Sequence, residues 1–171
     1  MAPLFEKDDH KAVLEYALTL ATQSPPKPTN YRVGAVLLNL TTNTVTETGY
    51  TLELEGNTHA EQCAFSKLSS RLGIDEGPGL REAMKGQPHA LYTTMEPCSF
   101  RLSGNKPCVD RILEQRDWVK VVYAGVVEPK DLVKENDGQG KLEGAGVKVV
   151  QVPGLEEEIL KVAKAGHVRN D

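Results

Sequence analysis

The sequence predicts an α/β fold in three layers, a mixed five-stranded sheet with helices on both faces. Three observations point there. Arg32–Leu40 and Trp118–Val127 are apolar without alternation, the pattern of strands buried on both sides. Residues 44–54 follow the first of them across the turn Thr41-Thr42-Asn43 and do alternate, which makes a hairpin and one antiparallel pair. The later strands are separated by segments with apolar residues three and four apart, and such βα units add parallel strands.

In order, residues 1–6 read as a loose arm. Asp8 or Asp9 caps a helix to about Gln23, with Val13, Ala17, Leu20 and Ala21 as its stripe and Leu14 and Leu18 alongside. Ser24-Pro25-Pro26-Lys27-Pro28 stops it. In the second hairpin strand Thr46, Thr48, Tyr50, Leu52 and Leu54 share one face, opposite Val45, Glu47, Thr51 and Glu53. Glu55-Gly56-Asn57-Thr58 leads into a helix from His59 to about Leu72, which buries Ala60, Ala64 and Leu68. Gly73–Gly79 is glycine-rich and acidic and reads as a surface loop, followed by a short helix over Leu80–Lys85. His89–Met95 is the third strand. Pro107–Gln115 is a helix with Val109, Ile112 and Leu113 inward, and Pro107 suits its first turn. Beyond the fourth strand, residues 128–146 read as loop with room for a short helix. Val147–Val152 is the fifth strand, closed by Pro153-Gly154, and Leu155–Ala165 the last helix. No repeat, low-complexity tract or linker divides the chain, so 1–171 is read as one domain.

Net charge is −4 and Lys and Arg are scattered, which leaves no basic footprint for a nucleic acid. No apolar run approaches the roughly 18–20 residues that a membrane span needs. The opening MAPLFEKDDH has neither a basic nor an apolar signal region. Three cysteines cannot all pair within one chain, and they suit a reducing compartment, so a cytoplasmic location is expected.

The chemistry gathers around Leu91–Leu113, where Cys98 and Cys108 each follow a proline, and around His59-Ala60-Glu61 upstream. His59 opens one helix, Cys98 follows a strand and Cys108 opens the next helix, where the helix dipole stabilises a thiolate. One histidine and two cysteines are the three protein ligands of a catalytic zinc, which keeps its fourth position for water and lowers that water's pKa to about 7. Attack on an amidine carbon also needs a proton carrier, and Glu61, close to a ligand and not itself one, suits that role. His-x-Glu followed by Pro-Cys-x-x-Cys is the zinc-deaminase signature, but nine residues separate the cysteines here instead of two. Taken singly, these residues have plainer readings. Thr58-x-x-Glu61 fits a capping box, and Cys98 and Cys108 fit buried thiols or a disulfide. Cys63 reads as a small core residue. Their joint order favours one zinc per chain held by His59, Cys98 and Cys108.

Between the cysteines, Ser99–Pro107 carries Arg101 and Lys106, the polar Ser103 and Asn105, and no acid. In a chain of net −4 this is a local positive loop tethered to the metal. It is expected to receive a phosphate through Arg101, Lys106, Ser103, Asn105 and the backbone N–H groups around Gly104, the alternative being a solvated loop.

These residues resemble the cytidine-deaminase superfamily, and within it the pyrimidine deaminases of riboflavin biosynthesis. Asn30-Tyr31-Arg32-Val33-Gly34 is similar to that family's Asn-Pro-x-Val-Gly, with Tyr31 in place of the frequent proline. His59-Ala60-Glu61 matches its His-Ala-Glu, and Glu96-Pro97-Cys98-Ser99 with Pro107-Cys108 matches its paired Pro-Cys motif with a long intervening loop. Phe100-Arg101 stands where bacterial members often carry histidines, so their phosphate contacts do not transfer. The resemblance implies a cytidine-deaminase-like fold and hydrolytic loss of the 2-amino group from a 2,5-diamino-6-(ribosyl- or ribitylamino)pyrimidinone 5′-phosphate. It also implies that Asn30 holds base or sugar and that the chain forms a homodimer. No reductase domain follows, which resembles the fungal arrangement and implies the ribitylamino compound. Two other readings compete. One is a nucleic-acid or free-base deaminase, against which stand the loop length, the negative charge and an aromatic content of 5%. The other is a noncatalytic zinc-stabilised module, which needs a fourth protein ligand such as Cys63 or His89.

Overall fold

The computed structural model describes residues 1–127 and 137–167. The elements run α1 His10–Ala21, β1 Gly34–Asn39, β2 Val45–Tyr50, α2 Ala60–Leu72, α3 Pro78–Ala83, β3 His89–Met95, α4 Cys108–Glu114, β4 Val119–Val126, α5 Gly138–Gly144, β5 Lys148–Gln151 and α6 Glu156–Ala163. The sheet order is β2-β1-β3-β4-β5. β1 pairs antiparallel with β2 and β3, while β3–β4 and β4–β5 are parallel. This is the mixed five-stranded sheet that the sequence predicts.

Both faces are covered, and β1 shows why its sequence does not alternate. Val36 and Leu38 pack under α1 and α6 with Val13, Leu14, Ala17 and Ile159. Ala35 and Leu37 face the other way, against Ala60, Ala64, Phe65 and Leu68 of α2 and Val109 and Ile112 of α4. Each such large apolar side chain, fully buried, contributes about 1.5–3 kcal/mol. Two glycines let helix backbones lie against the sheet. A Cβ on Gly34 would sit 1.8 Å from the Ala17 carbonyl oxygen, and one on Gly49 would sit 2.1 Å from that of Ala60. The second contact seats the first turn of α2, which carries His59 and Glu61.

Several local expectations change. The N-terminal stretch is not loose: Leu4 bridges Thr44, Phe5 N–H donates to the Asn43 carbonyl at 3.0 Å and Val45 N–H to that of Pro3 at 3.0 Å. The free edge of β2 recruits it, because unpaired strand N–H and C=O groups need partners. β2 stops at Tyr50, four residues short of the alternating run, because Leu52 adopts φ 63 and turns the chain. The Leu52 N–H then closes a loop onto the Thr58 carbonyl at 2.8 Å. The acidic loop after α2 is tied down through Glu76, which accepts from Ser66 Oγ and Arg111 Nη1, both at 2.6 Å. Of the expected loop 128–146, the stretch 137–146 contains α5, while 128–136 lies outside the described residues. No helix among the described residues is long and apolar enough to cross a membrane.

His89, at the start of β3, is fully buried between Trp118, whose ring lies edge-on at 5.2 Å, and two polar partners. Its Nδ1–H donates to the Gln87 carbonyl at 2.8 Å, which leaves Nε2 to accept from the Thr46 hydroxyl at 2.7 Å. Burial holds its pKa below the ordinary 6.5. The unfolded chain therefore binds a proton that the folded chain refuses, and stability falls as pH drops below about 6.5 toward the lowered value. In thermal melts from pH 8 to pH 5, wild type should lose midpoint across that window. The difference from His89→Gln should shrink as pH falls. A difference that stays constant with pH would show that His89 does not titrate.

Candidate active site

Three element ends converge at the C-terminal edge of β3. His59 caps α2, Cys98 follows β3 after the turn through Glu96-Pro97, and Cys108 begins α4. His59 Nδ1 lies 3.5 Å from Cys98 Sγ and 3.6 Å from Cys108 Sγ, and the three donor atoms all lie within 4.8 Å of one another. A tetrahedral ion with Zn–N of about 2.0–2.1 Å and Zn–S of about 2.3 Å requires N···S near about 3.6 Å. The donor set and its spacing fit zinc. Among the described residues this is the one group of three such donors that could hold a metal, and it offers no fourth. Cys63 is buried elsewhere, against Thr58 and Leu54, and both ring nitrogens of His89 are engaged. A structural four-ligand zinc is therefore not built here.

The two thiols differ. Cys98 receives a hydrogen bond from the Cys108 backbone N–H at 3.3 Å. Hydrogen bonding from Cys108, then from His59, pulls its thiol down to about 4 despite partial burial. Cys108 is pushed up, by its bond to Cys98, by complete burial and by the nearby Glu61 carboxylate. Of the two, Cys98 is therefore the thiol biased toward thiolate and Cys108 the one biased toward its protonated form.

Glu61 is buried, and desolvation raises its pKa above 4.5. Cys108 Sγ donates to its Oε2 at 3.5 Å. Its Oε1 is 3.2 Å from Thr93 Oγ, whose hydroxyl also lies 2.7 Å from the Met95 carbonyl. The Thr93 hydroxyl is shared between these two acceptors. The capping-box reading of Glu61 fails. The Gln62 amide oxygen accepts from the His59 N–H at 3.3 Å, and Thr58 Oγ donates back to the Leu54 carbonyl at 2.9 Å. Gln62 does the capping and leaves Glu61 free to face a cavity of about 140 Å³.

Asn30, Tyr31, Met95, Glu96 and Cys98 line the same cavity. The Asn30 side chain is held by Asn57 Oδ1 at 3.0 Å. Arg101, Ser103, Asn105 and Lys106 are not among the cavity's lining residues. Arg101 turns inward and is only 7% exposed. Its Nη1 donates to Gln62 Oε1 at 3.1 Å and its Nη2 to the Asn57 carbonyl at 2.6 Å. A buried guanidinium must find acceptors, and the turn before α2 supplies them. Lys106 pairs with Glu114 of α4, and Ser103 Oγ accepts from the Asn105 N–H at 3.3 Å. Thr93, Asn57 and Gln62 were missed; Thr93 has a second threonine, Thr94, beside it in β3, and nothing local marks any of the three.

Two measurements follow from this geometry. Zinc loading at pH 7 should release about one proton per ion, from Cys108, since zinc binds thiolates. Calorimetry in buffers of different ionisation enthalpy counts it, and a count of zero would place both thiols already ionised. Arg101→Ala should destabilise the fold by roughly 1.5–3 kcal/mol, as lost charged hydrogen bonds do, and speed zinc loss to a chelator. A variant that melts and holds metal like wild type would remove Arg101 from the clamp.

Known proteins resemble this chain over most of its length. The cytidine and deoxycytidylate deaminase zinc-binding region matches residues 7–125. A diaminohydroxyphosphoribosylamino-pyrimidine deaminase of Schizosaccharomyces pombe is 33% identical over 159 residues, which are 93% of this chain. The chain spans 36% of that protein's length. The Rib2 deaminase of Aspergillus oryzae, solved as a C-terminal deletion mutant, superposes with a TM-score of 0.82 at 42% identity over 92% of each chain. Another structure of that deaminase, in complex with DARIPP, gives 0.83. With its His59-x-Glu61, its paired Pro-Cys motifs and this match, the chain belongs to the zinc-binding cytidine and deoxycytidylate deaminase family.

Proposed function

We propose that the chain is a hydrolytic deaminase of riboflavin biosynthesis. It removes the 2-amino group of a 2,5-diamino-6-(ribitylamino or ribosylamino)pyrimidinone 5′-phosphate. The observation that carries the chemistry is Glu61, a buried carboxyl facing a small cavity beside three zinc donors. The substrate class is supported by the likeness to the Aspergillus oryzae and Schizosaccharomyces pombe deaminases and by this chain's own long inter-cysteine loop.

His59, Cys98 and Cys108 would hold the ion. Zinc, when bound, supplies Lewis acidity that lowers the pKa of water toward about 7. The remaining work falls to the chain. Water adds to the amidine carbon: a C–O bond forms, the C–N bond to the 2-amino group breaks, and ammonia leaves. Glu61 takes a proton from the water and passes protons to the ring nitrogen and the leaving amine. Burial raises its pKa, so its protonated form is accessible, and the Thr93 hydroxyl holds its Oε1 by a hydrogen bond at 3.2 Å. Asn30, on the cavity wall, holds the base or sugar. The unit acts as one domain, in the cytoplasm and as a homodimer, for which the exposed Phe100 and Leu102 beside the site offer apolar surface.

Glu61→Gln should keep fold and zinc but lose turnover by about 10²–10⁴-fold, the usual worth of a general acid–base group. Ammonia release from the ribosyl- and ribitylamino phosphates, measured side by side with zinc content, checks this. Full activity in the variant would overturn the role of Glu61. Ammonia release by wild type from cytosine or single-stranded RNA, and from neither phosphate, would overturn the substrate.

A further inference from the structure

Gln62 and Arg101 fasten the loop of Cys98 to the turn before α2. Cys108 rides on α4, and a separate set of bonds fixes α4 against α2 beyond the metal donors. Its centre is the carboxylate of Glu76, in the turn between α2 and α3. Oε2 accepts from Ser66 Oγ of α2, and Oε1 accepts from Arg111 Nη1 of α4, both at 2.6 Å. The two oxygens of one carboxylate thus hold two helices. Ser66 stands about two turns along α2 from His59, and Arg111 about one turn along α4 from Cys108. The bridge is therefore close to the ends that carry the donors, yet outside the donor group.

The carboxylate is itself held in place. Gln115, buried at the end of α4, donates its Nε2–H to the Glu76 carbonyl at 2.7 Å and to the Gly77 carbonyl at 3.3 Å. Its Oε1 accepts from Nε1–H of the fully buried Trp118 at 2.7 Å. The backbone of the Glu76 turn is thus pinned to α4, and its side chain reaches back to α2. The Arg111 and Glu76 side chains are 15% and 29% exposed, so solvent and salt screen the pair less than an open surface pair. The remaining contact between the two helices is apolar, through Phe65 and Leu68 of α2 and Val109 and Ile112 of α4. Apolar burial keeps helices together but is non-directional and does not fix how far one is slid along the other. A carboxylate with one directed bond to each helix does fix it.

We infer that Glu76 and Arg111 are a positioning pair for the metal centre. They set the register of α4 against α2, and with it the 3.6 Å separation of His59 Nδ1 from Cys108 Sγ. Metal–ligand distances hold to within about 0.2 Å, so a small slide of one helix along the other is felt at the ion. The pair acts through the helices and needs no contact with substrate. The inference rests on the zinc centre of the deaminase reading above and on no choice of substrate.

Glu76→Gln keeps the side chain's shape but turns one acceptor into an –NH₂ group, which then faces a donor on one of the two helices. Arg111→Met keeps the apolar stem and removes the cation. Both single variants and the double variant are loaded with zinc or cobalt(II) and compared with wild type. Zinc transfer to a chelator should be faster by roughly tenfold in each single variant, the lower end for a lost charged hydrogen bond, since the apolar contact remains. The double variant should match the singles, because either change breaks the same bridge. The cobalt(II) absorption bands should move away from those of wild type in all three. Ile159→Val, in the core on the other face of the sheet, should lower the melting temperature while zinc release and the cobalt(II) bands stay at wild type. Wild-type zinc release and bands in Glu76→Gln, additive effects in the double variant, or the same changes in Ile159→Val would each overturn the pair's role while the zinc centre stands. A wild type that binds neither ion would overturn the centre and the pair together.

Discussion

One amide oxygen holds the site together. Gln62 Oε1 has two lone pairs, and both are spent: one on the His59 N–H, one on Arg101 Nη1. The first bond caps α2; the second fastens the loop that carries Cys98 to the same turn. Two candidate metal-binding side chains that are 39 residues apart in sequence are thereby brought to a donor separation of 3.5 Å by a residue outside the donor group. Because Gln62 takes the cap, Glu61 is released from the role that its spacing from Thr58 suggests. It can then pay the desolvation cost of lying under the cavity, which is what makes its proton useful.

The sheet order follows from the same requirement. Parallel β3 and β4 end on the same side, and the helices that follow β2 and β3 begin there with His59 and Cys108. In open sheets, ligands gather beyond the strand ends where helix N-termini point. What lets α2 reach that edge is Gly49, since any side chain there would strike the Ala60 carbonyl. The packing of one helix on one strand and the placing of the Glu61 carboxylate are one contact.

Much of this was legible in the sequence, because the signals were local or ordered along the chain. β1 and β4 announced themselves as apolar runs, and His59, Glu61, Cys98 and Cys108 by residue type and order. What was illegible depends on partners far away in sequence. β2 looked four residues longer because the alternation continues to Leu54, and nothing local to Leu52 says that its backbone turns left-handed. The arm at Leu4 looked free because its partner is an open strand edge and not a side chain. Arg101 looked like an anion receptor because a cation in a glycine-containing loop usually is solvated. Its true partners, Asn57 and Gln62, lie 44 and 39 residues away.

Arg101 also explains how this chain tolerates a long separation between its cysteines. With two intervening residues, both thiols ride on one stretch of backbone and keep their spacing for free. Nine residues separate that backbone, and Cys98 and Cys108 need to be held independently. Closing the longer loop costs little in itself, about 0.6 kcal/mol per doubling of length. The danger is imprecision, and the structure answers it with short-range bonds across the loop's base: Cys108 N–H to Cys98 Sγ at 3.3 Å, Val109 N–H to the Cys98 carbonyl at 3.0 Å, and the guanidinium of Arg101 buried beneath. The loop's strongest cation is therefore consumed in making the metal site rigid.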